Sequence, residues 1–250
     1  MPYFSWNSNK IFYRDEGEGE TVLLLPGNTC SSSVHKGDIE YFSQRYRVIC
    51  PDYHGYGKSG RVESFPIDFW WYNALMCVEL INSLQIPGIF VIGTSGGGLI
   101  GLNVAILSRG SVKCVVADSI PGEFPGEDDI VSVTNARKVI TERQARFWAR
   151  AHGEDWLDVI SLDTRLVVKN ARAGESFYKG RLGEIQCPVL LTASLADDLV
   201  VNIEGRVAGV ARQILSSKAV FYATGAHTLM QSRPDEFRAE VSHFLENLNL

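Results

Sequence analysis

Three side chains in this sequence have the types and the order needed for nucleophilic acyl transfer: Ser95, Asp197 and His227. A serine hydroxyl is too weakly acidic to attack an ester at neutral pH unaided. It needs a base to take its proton, and an imidazole base needs a carboxylate to fix its tautomer and stabilise its charged form. Ser95 stands in Gly93-Thr94-Ser95-Gly96-Gly97, a G-x-S-x-G pentapeptide that holds a serine on a strained turn between a strand and a helix, with small residues two before and two after so that strand and helix can approach. The helix that begins beside the serine aims its free N–H groups and positive end at any oxyanion formed there. Alone, the pentapeptide also fits an ordinary glycine-rich turn that binds phosphate, so the case rests on where the other two residues fall.

Each of the three follows a run of strand character. Ile89-Phe90-Val91-Ile92 leads into Ser95; Cys187-Pro188-Val189-Leu190-Leu191-Thr192-Ala193-Ser194 leads into Asp197; Ala219-Val220-Phe221-Tyr222 leads into Ala223-Thr224-Gly225-Ala226-His227. Competitors exist for the acid: Asp198 is adjacent, and Asp118 also ends a strand-like run. Among the other histidines, His35, His152 and His243 fall in helical stretches and His54 in a loop, so His227 is the one placed after a strand. Asp52, in the polar loop Pro51 to Gly60, reads as a turn aspartate that bonds nearby backbone N–H groups.

The elements that must position these residues alternate along the chain. Lys10 to Glu16 reads as a hairpin leading into the buried strand Thr21-Val22-Leu23-Leu24-Leu25, which ends at Pro26-Gly27-Asn28-Thr29. Open α/β sheets place ligands at such carboxyl ends of central strands, so the backbone N–H of Asn28, together with that of Gly96, is a candidate oxyanion donor. A helix is expected over 33–42, a strand over 46–50, and a helix over 66–84 with Ile67, Trp70, Leu75, Val78, Ile81 and Leu84 on its apolar stripe. After the Ser95 turn come an apolar helix and the strand Val112 to Asp118. The expected class is therefore α/β, a mostly parallel central sheet flanked by helices.

Residues from about Glu123 to Glu184 break this rhythm with helical stretches over 130–151 and 155–171 and no strand between them. This segment is expected to be a helical cap, residues 123–184, inserted after the sixth strand of a core formed by 1–122 and 185–250. Its Arg137, Lys138, Arg143, Arg146 and Arg150 read as a solvated face. Its Phe147, Trp148, Trp156, Phe177 and Tyr178 supply apolar surface for docking the cap and lining a pocket. A helix over 203–215 and a last amphipathic helix capped at Ser232, with Pro234 in its first turn, complete the chain.

The chain has 250 residues, 45% of them hydrophobic, and a formal net charge of −5. It can bury a large core, and its summed field attracts neither nucleic acid nor anionic membranes. No apolar run approaches a membrane span and no signal-like segment opens the sequence, so a soluble, cytoplasmic protein is expected. Its 5 cysteines (Cys30, Cys50, Cys77, Cys114, Cys187) show no C-x-x-C spacing and suggest neither a disulfide frame nor a zinc site. The chemistry read from the residues is acyl transfer on a small-molecule ester, with no metal and no cofactor required; oligomeric state is not legible.

With Gly93 to Gly97 and the order Ser95, Asp197, His227 in place, the chain resembles the α/β-hydrolase superfamily over essentially its whole length, which implies the α/β-hydrolase fold with its cap. More narrowly it resembles the valacyclovir hydrolase (biphenyl hydrolase-like) group in Leu23-Leu24-Leu25-Pro26-Gly27, Ser64-Phe65-Pro66-Ile67-Asp68-Phe69 and Gly225-Ala226-His227-Thr228-Leu229. That group cleaves α-amino-acid esters and carries, directly after the nucleophile, an aspartate that recognises the substrate ammonium. Here that position is Gly96, so ammonium recognition requires another acid, such as Glu123, Asp128 or Asp129. Ser95 sets the chain apart from dehalogenases and epoxide hydrolases, which resemble this fold but use an aspartate there. Carbon–carbon bond hydrolases keep the serine and stand as an alternative, as does a non-catalytic ligand-binding protein on the same fold.

Overall fold

The computed structural model describes residues 2–248. Its strands are β1 (Tyr3–Trp6), β2 (Asn9–Glu16), β3 (Thr21–Leu25), β4 (Arg47–Pro51), β5 (Ile89–Thr94), β6 (Val112–Asp118), β7 (Val189–Ser194) and β8 (Ser217–Tyr222). They form one 8-stranded sheet in the order β1-β2-β4-β3-β5-β6-β7-β8. β1 and β2 run antiparallel at one edge and every pairing from β4 to β8 is parallel. Helices α1 (Lys36–Phe42), α2 (Phe69–Ser83), α3 (Gly96–Leu107), α7 (Ile203–Ala211) and α9 (Pro234–Glu246) cover the two faces, with the single turn α8 (Leu229–Ser232) before the last.

Why the central strands read as unbroken apolar runs is visible in their packing. Along β3, Leu23 and Leu25 join the core on one face while Val22 and Leu24 join the core on the other, and β5 repeats this with Val91 against Phe90 and Ile92. Both faces are dry, so both parities of side chain must be apolar. Each such buried side chain stabilises the fold by about 1.5–3 kcal/mol relative to an exposed one.

The helices between β6 and β7 are three: α4 (Glu127–Lys138), α5 (Glu142–His152) and α6 (Trp156–Ala173). The single stretch expected over 130–151 is divided at Val139 to Thr141, where Thr141 caps α5 by accepting from the Gln144 N–H while Gln144 reaches back to the Thr141 N–H. Several other expectations also shift. β2 pairs with β1 and β4, not with the strand that follows it, because β1 supplies its hairpin partner. Ser232 does not cap the last helix: its hydroxyl donates to the carbonyls of Ala226 and Thr228, and α9 starts at Pro234 after an uncapped Arg233. On α2 the expected stripe is too narrow; Leu75 is exposed while Phe69, Trp71, Asn73 and Met76 are buried. The helix is covered from two sides, by α3 and by the loop contacts of the inserted helices, so its burial follows no single face.

Candidate active site

β5 ends at Thr94 and α3 begins at Gly96, leaving Ser95 alone on the turn at φ 52°, ψ −122°. That conformation is strained for any residue with a Cβ and persists because its surroundings impose it. The Ser95 N–H donates to the Asp118 carbonyl at 2.7 Å. A Cβ on Gly93 would lie 2.2 Å from the Gly97 carbonyl oxygen, and one on Gly97 would lie 2.2 Å from that of Leu25, so backbone fills the space on both sides of the turn.

The turn aims the hydroxyl at His227, whose Nε2 accepts from Ser95 Oγ at 3.0 Å. The opposite ring nitrogen, Nδ1, donates to Asp197 Oδ2 at 2.8 Å. Asp197 Oδ1 accepts from the N–H groups of Leu199 and Val200 at 2.9 and 2.8 Å, and the side chain is 0% exposed. Burial pushes its pKa up, but the His227 contact and the two backbone donors outweigh it, and the carboxyl sits below its ordinary value. Asp197 therefore stays ionised and holds the imidazole in the tautomer that can receive the serine proton.

The competing acids turn out to support the same loop by other contacts. Asp198 accepts from the His227 backbone N–H at 2.8 Å, fixing the segment rather than the ring. Asp118 is 0% exposed and accepts from Thr94, Thr192 and Ser119 hydroxyls and from the Met230 N–H, which anchors the chain just after His227. Asp52 accepts from the Ser32 and Lys58 N–H groups at 2.7 and 2.8 Å and ties two loops together. His152 bridges loops as well: Gly57 N–H donates to its Nδ1 at 3.0 Å and its Nε2 donates to the Thr29 carbonyl at 3.0 Å.

The turn after β3 lies against Ser95. A Cβ on Gly27 would be 3.4 Å from Ser95 Cβ, and one on Gly96 would be 1.8 Å from Asn28 Oδ1. Among the described residues the Asn28 backbone N–H has no protein acceptor, and the Gly96 N–H, first in α3, has none within its helix. The Asn28 side chain is engaged at both ends: Nδ2 donates to Asp163 Oδ1 at 2.7 Å and Oδ1 accepts from Trp70 Nε1 at 3.0 Å.

Ser95, His227, Gly96 and Asn28 line a cavity of about 240 Å³ roofed by the inserted helices. Phe147, Val167 and Phe177 give it an apolar wall, while Trp148 and Trp156 stack on each other with ring centroids 5.8 Å apart and Tyr178 is buried, so these three serve packing. Of the acids considered as ammonium partners, Asp129 reaches the cavity wall, but one of its oxygens accepts from Gly126 N–H and Arg206 at 2.7 and 2.9 Å. Glu123 is bonded to Ser176 and Gln213 instead. Arg137 leaves the solvated face expected for it: its guanidinium is 13% exposed and lies 2.8 Å from Asp163, which is 0% exposed.

Asp163 and Trp70 are the residues the motifs do not announce. A signal for Asp163 is present, since it falls with Val159, Leu166 and Asn170 on the buried stripe of α6, where a carboxylate is out of place unless something pairs with it.

A family model described as the alpha/beta hydrolase family matches residues 22–240. Serine hydrolase BPHL of Mus musculus is 27% identical over 258 residues, covering 96% of this chain and 84% of that protein. In three dimensions the chain is similar to the meta-cleavage product hydrolase CumD of Pseudomonas fluorescens IP01, with a TM-score of 0.82 at 17% identity over 100% of this chain and 98% of that one. It is also similar to an esterase from Exiguobacterium antarcticum, with a TM-score of 0.75 at 18% identity over 97% and 98% of the two chains. No helix among the described residues is long and apolar enough to cross a membrane. The family match spans most of the chain and agrees with the parallel sheet and the serine turn at its centre: the chain belongs to the alpha/beta hydrolase family of hydrolytic enzymes.

Proposed function

We propose that the protein is a serine esterase that cleaves small carboxylic esters through an acyl-enzyme. The observation that carries this reading is the continuous pair of hydrogen bonds from Asp197 through His227 to Ser95, 2.8 and 3.0 Å, at the floor of the cavity. Ser95 Oγ attacks the ester carbonyl as His227 takes its proton, and the carbonyl oxygen becomes an oxyanion held by the backbone N–H groups of Gly96 and Asn28. His227 then protonates the departing alcohol. A water, deprotonated by the same imidazole, attacks the acyl-enzyme and frees the acid. Each oxyanion donor contributes about 2.7–4 kcal/mol of transition-state stabilisation in enzymes of this chemistry.

Residues 123–184 act as the cap, setting the cavity's size and apolar character. The charges around the cavity support a neutral substrate: Arg137 is paired with Asp163 and Asp129 with Arg206. Five unpaired thiols fit a reducing compartment such as the cytoplasm.

The test is kcat/KM on two esters that differ only in an α-amino group, with Ser95→Ala as the blank. Comparable turnover of both, abolished in the variant, is the expected result. A strong preference for the amino ester would make the free oxygen of Asp129 an ammonium acceptor. Turnover that survives Ser95→Ala, or no ester turnover at all, refutes the reading.

A further inference from the structure

The inserted helices do more than roof the cavity. Asp163 comes from the middle of α6, 135 residues from Asn28 in sequence, and its carboxylate is 0% exposed. Its Oδ1 accepts from Asn28 Nδ2 and from the hydroxyl of Tyr56, and Arg137 lies 2.8 Å from Oδ2. Asn28 is held from its other end by Trp70 Nε1. Buried ion pairs are weak stabilisers; apolar residues of similar volume commonly serve a fold as well or better. The placement of this one is explained by what it touches. Bonds at both ends of the Asn28 amide tie this residue to α2 and to α6, and so restrain the turn that carries the Asn28 backbone N–H.

We propose that Asp163 is a positioning residue for the oxyanion site: through the Asn28 amide it holds the turn after β3 against Ser95, so the site is complete only with α6 docked. This inference rests on the esterase reading. Arg137 has a defined part in it. A lone carboxylate here would oppose the negative charge that develops on the substrate oxygen, and the guanidinium cancels that repulsion while leaving Oδ1 free to hold Asn28.

The experiment compares Asn28→Ala, Asp163→Ala and the double variant with the unaltered protein, on a small neutral ester and on a trifluoromethyl ketone that adds Ser95 to form a tetrahedral oxyanion. Each single variant keeps the Asn28 N–H but loses its aim. Each is expected to lower kcat by about 10- to 100-fold, somewhat less than deleting a donor outright, with KM nearly unchanged. Affinity for the ketone should fall by the factor lost in kcat/KM, because both report the oxyanion contact. Asp163→Ala should cost little more once Asn28 is already alanine, since the two act through one contact. An unchanged kcat in either single variant overturns the proposal, as do effects that multiply in full or a ketone affinity that does not move. If Asp163→Ala fails to fold, Asn28→Ala decides alone, because it leaves the Asp163–Arg137 pair in place. Activity that survives Ser95→Ala would instead sink the esterase reading itself.

Discussion

Gly96→Ala is the substitution whose consequence the geometry defines most closely. The new Cβ would lie 1.8 Å from Asn28 Oδ1 and 2.9 Å from Asn28 Cγ, so the asparagine side chain must swing away. Swinging breaks the charge-assisted bond to Asp163, worth about 1.5–3 kcal/mol, and the neutral bond from Trp70, worth about 0.5–1.5 kcal/mol. Alanine returns about 0.5–1 kcal/mol by favouring the helix, leaving a net loss of roughly 1–4 kcal/mol, centred on about 2.5 kcal/mol. For a chain of this size that corresponds to a Tm lower by about 5–10 °C. The assay is a thermal melt beside ester kinetics, for Gly96→Ala and for Asn28→Ala with and without it. Removing the asparagine side chain removes the closest obstacle and leaves Trp70 Nε1 at 3.0 Å, which a small shift of the indole relieves, so Gly96→Ala should cost much less in the Asn28→Ala background. A Gly96→Ala protein with unchanged Tm and kcat would refute the reasoning, since Asn28 would then be free to move.

Other expectations follow from the same contacts. Asp197→Asn keeps the shape but lets His227 take the wrong tautomer, and kcat on a small ester should fall by about 10⁴-fold with folding intact. Arg137→Met strands the Asp163 charge in the interior and should destabilise by about 3–5 kcal/mol in a denaturant titration, whereas Arg143→Met, on the exposed side of α5, should change little. His152 is held neutral, its pKa pushed down from 6.5 to about 4 chiefly by burial. A lowered histidine pKa means the folded state prefers the unprotonated ring, so this contribution is whole above pH 6.5 and declines as pH falls towards 4. The shift corresponds to about 3 kcal/mol. Unfolding midpoints measured from pH 7 to 4 should therefore drop more steeply for the unaltered protein than for His152→Gln, and parallel curves would count against it.

Much of this molecule is written locally. The Gly93 to Gly97 turn, the three strand-ending loops of Ser95, Asp197 and His227, and the apolar runs of a two-sided sheet are short-range patterns, each set by backbone sterics or burial parity. Elsewhere the local signal is ambiguous. The stretch 130–151 carries helical periodicity throughout, and its break shows only in the Thr141 to Gln144 capping pair. The narrow stripe expected for α2 assumed one buried face, and two partners cover it.

Residue type, order and spacing along the chain are enough to read the class of fold and to single out Ser95 and His227 as a candidate nucleophile and base. The sequence order favours Asp197 over its neighbour Asp198, but both stand on the same loop, and it is direction in three dimensions that brings Asp197 to the His227 ring and Asp198 to the His227 backbone N–H. The tertiary structure alone decided that Arg137 turns inward and that Asp163 reaches Asn28. A contact across 135 residues leaves no trace in local periodicity beyond a charge where an apolar side chain belongs.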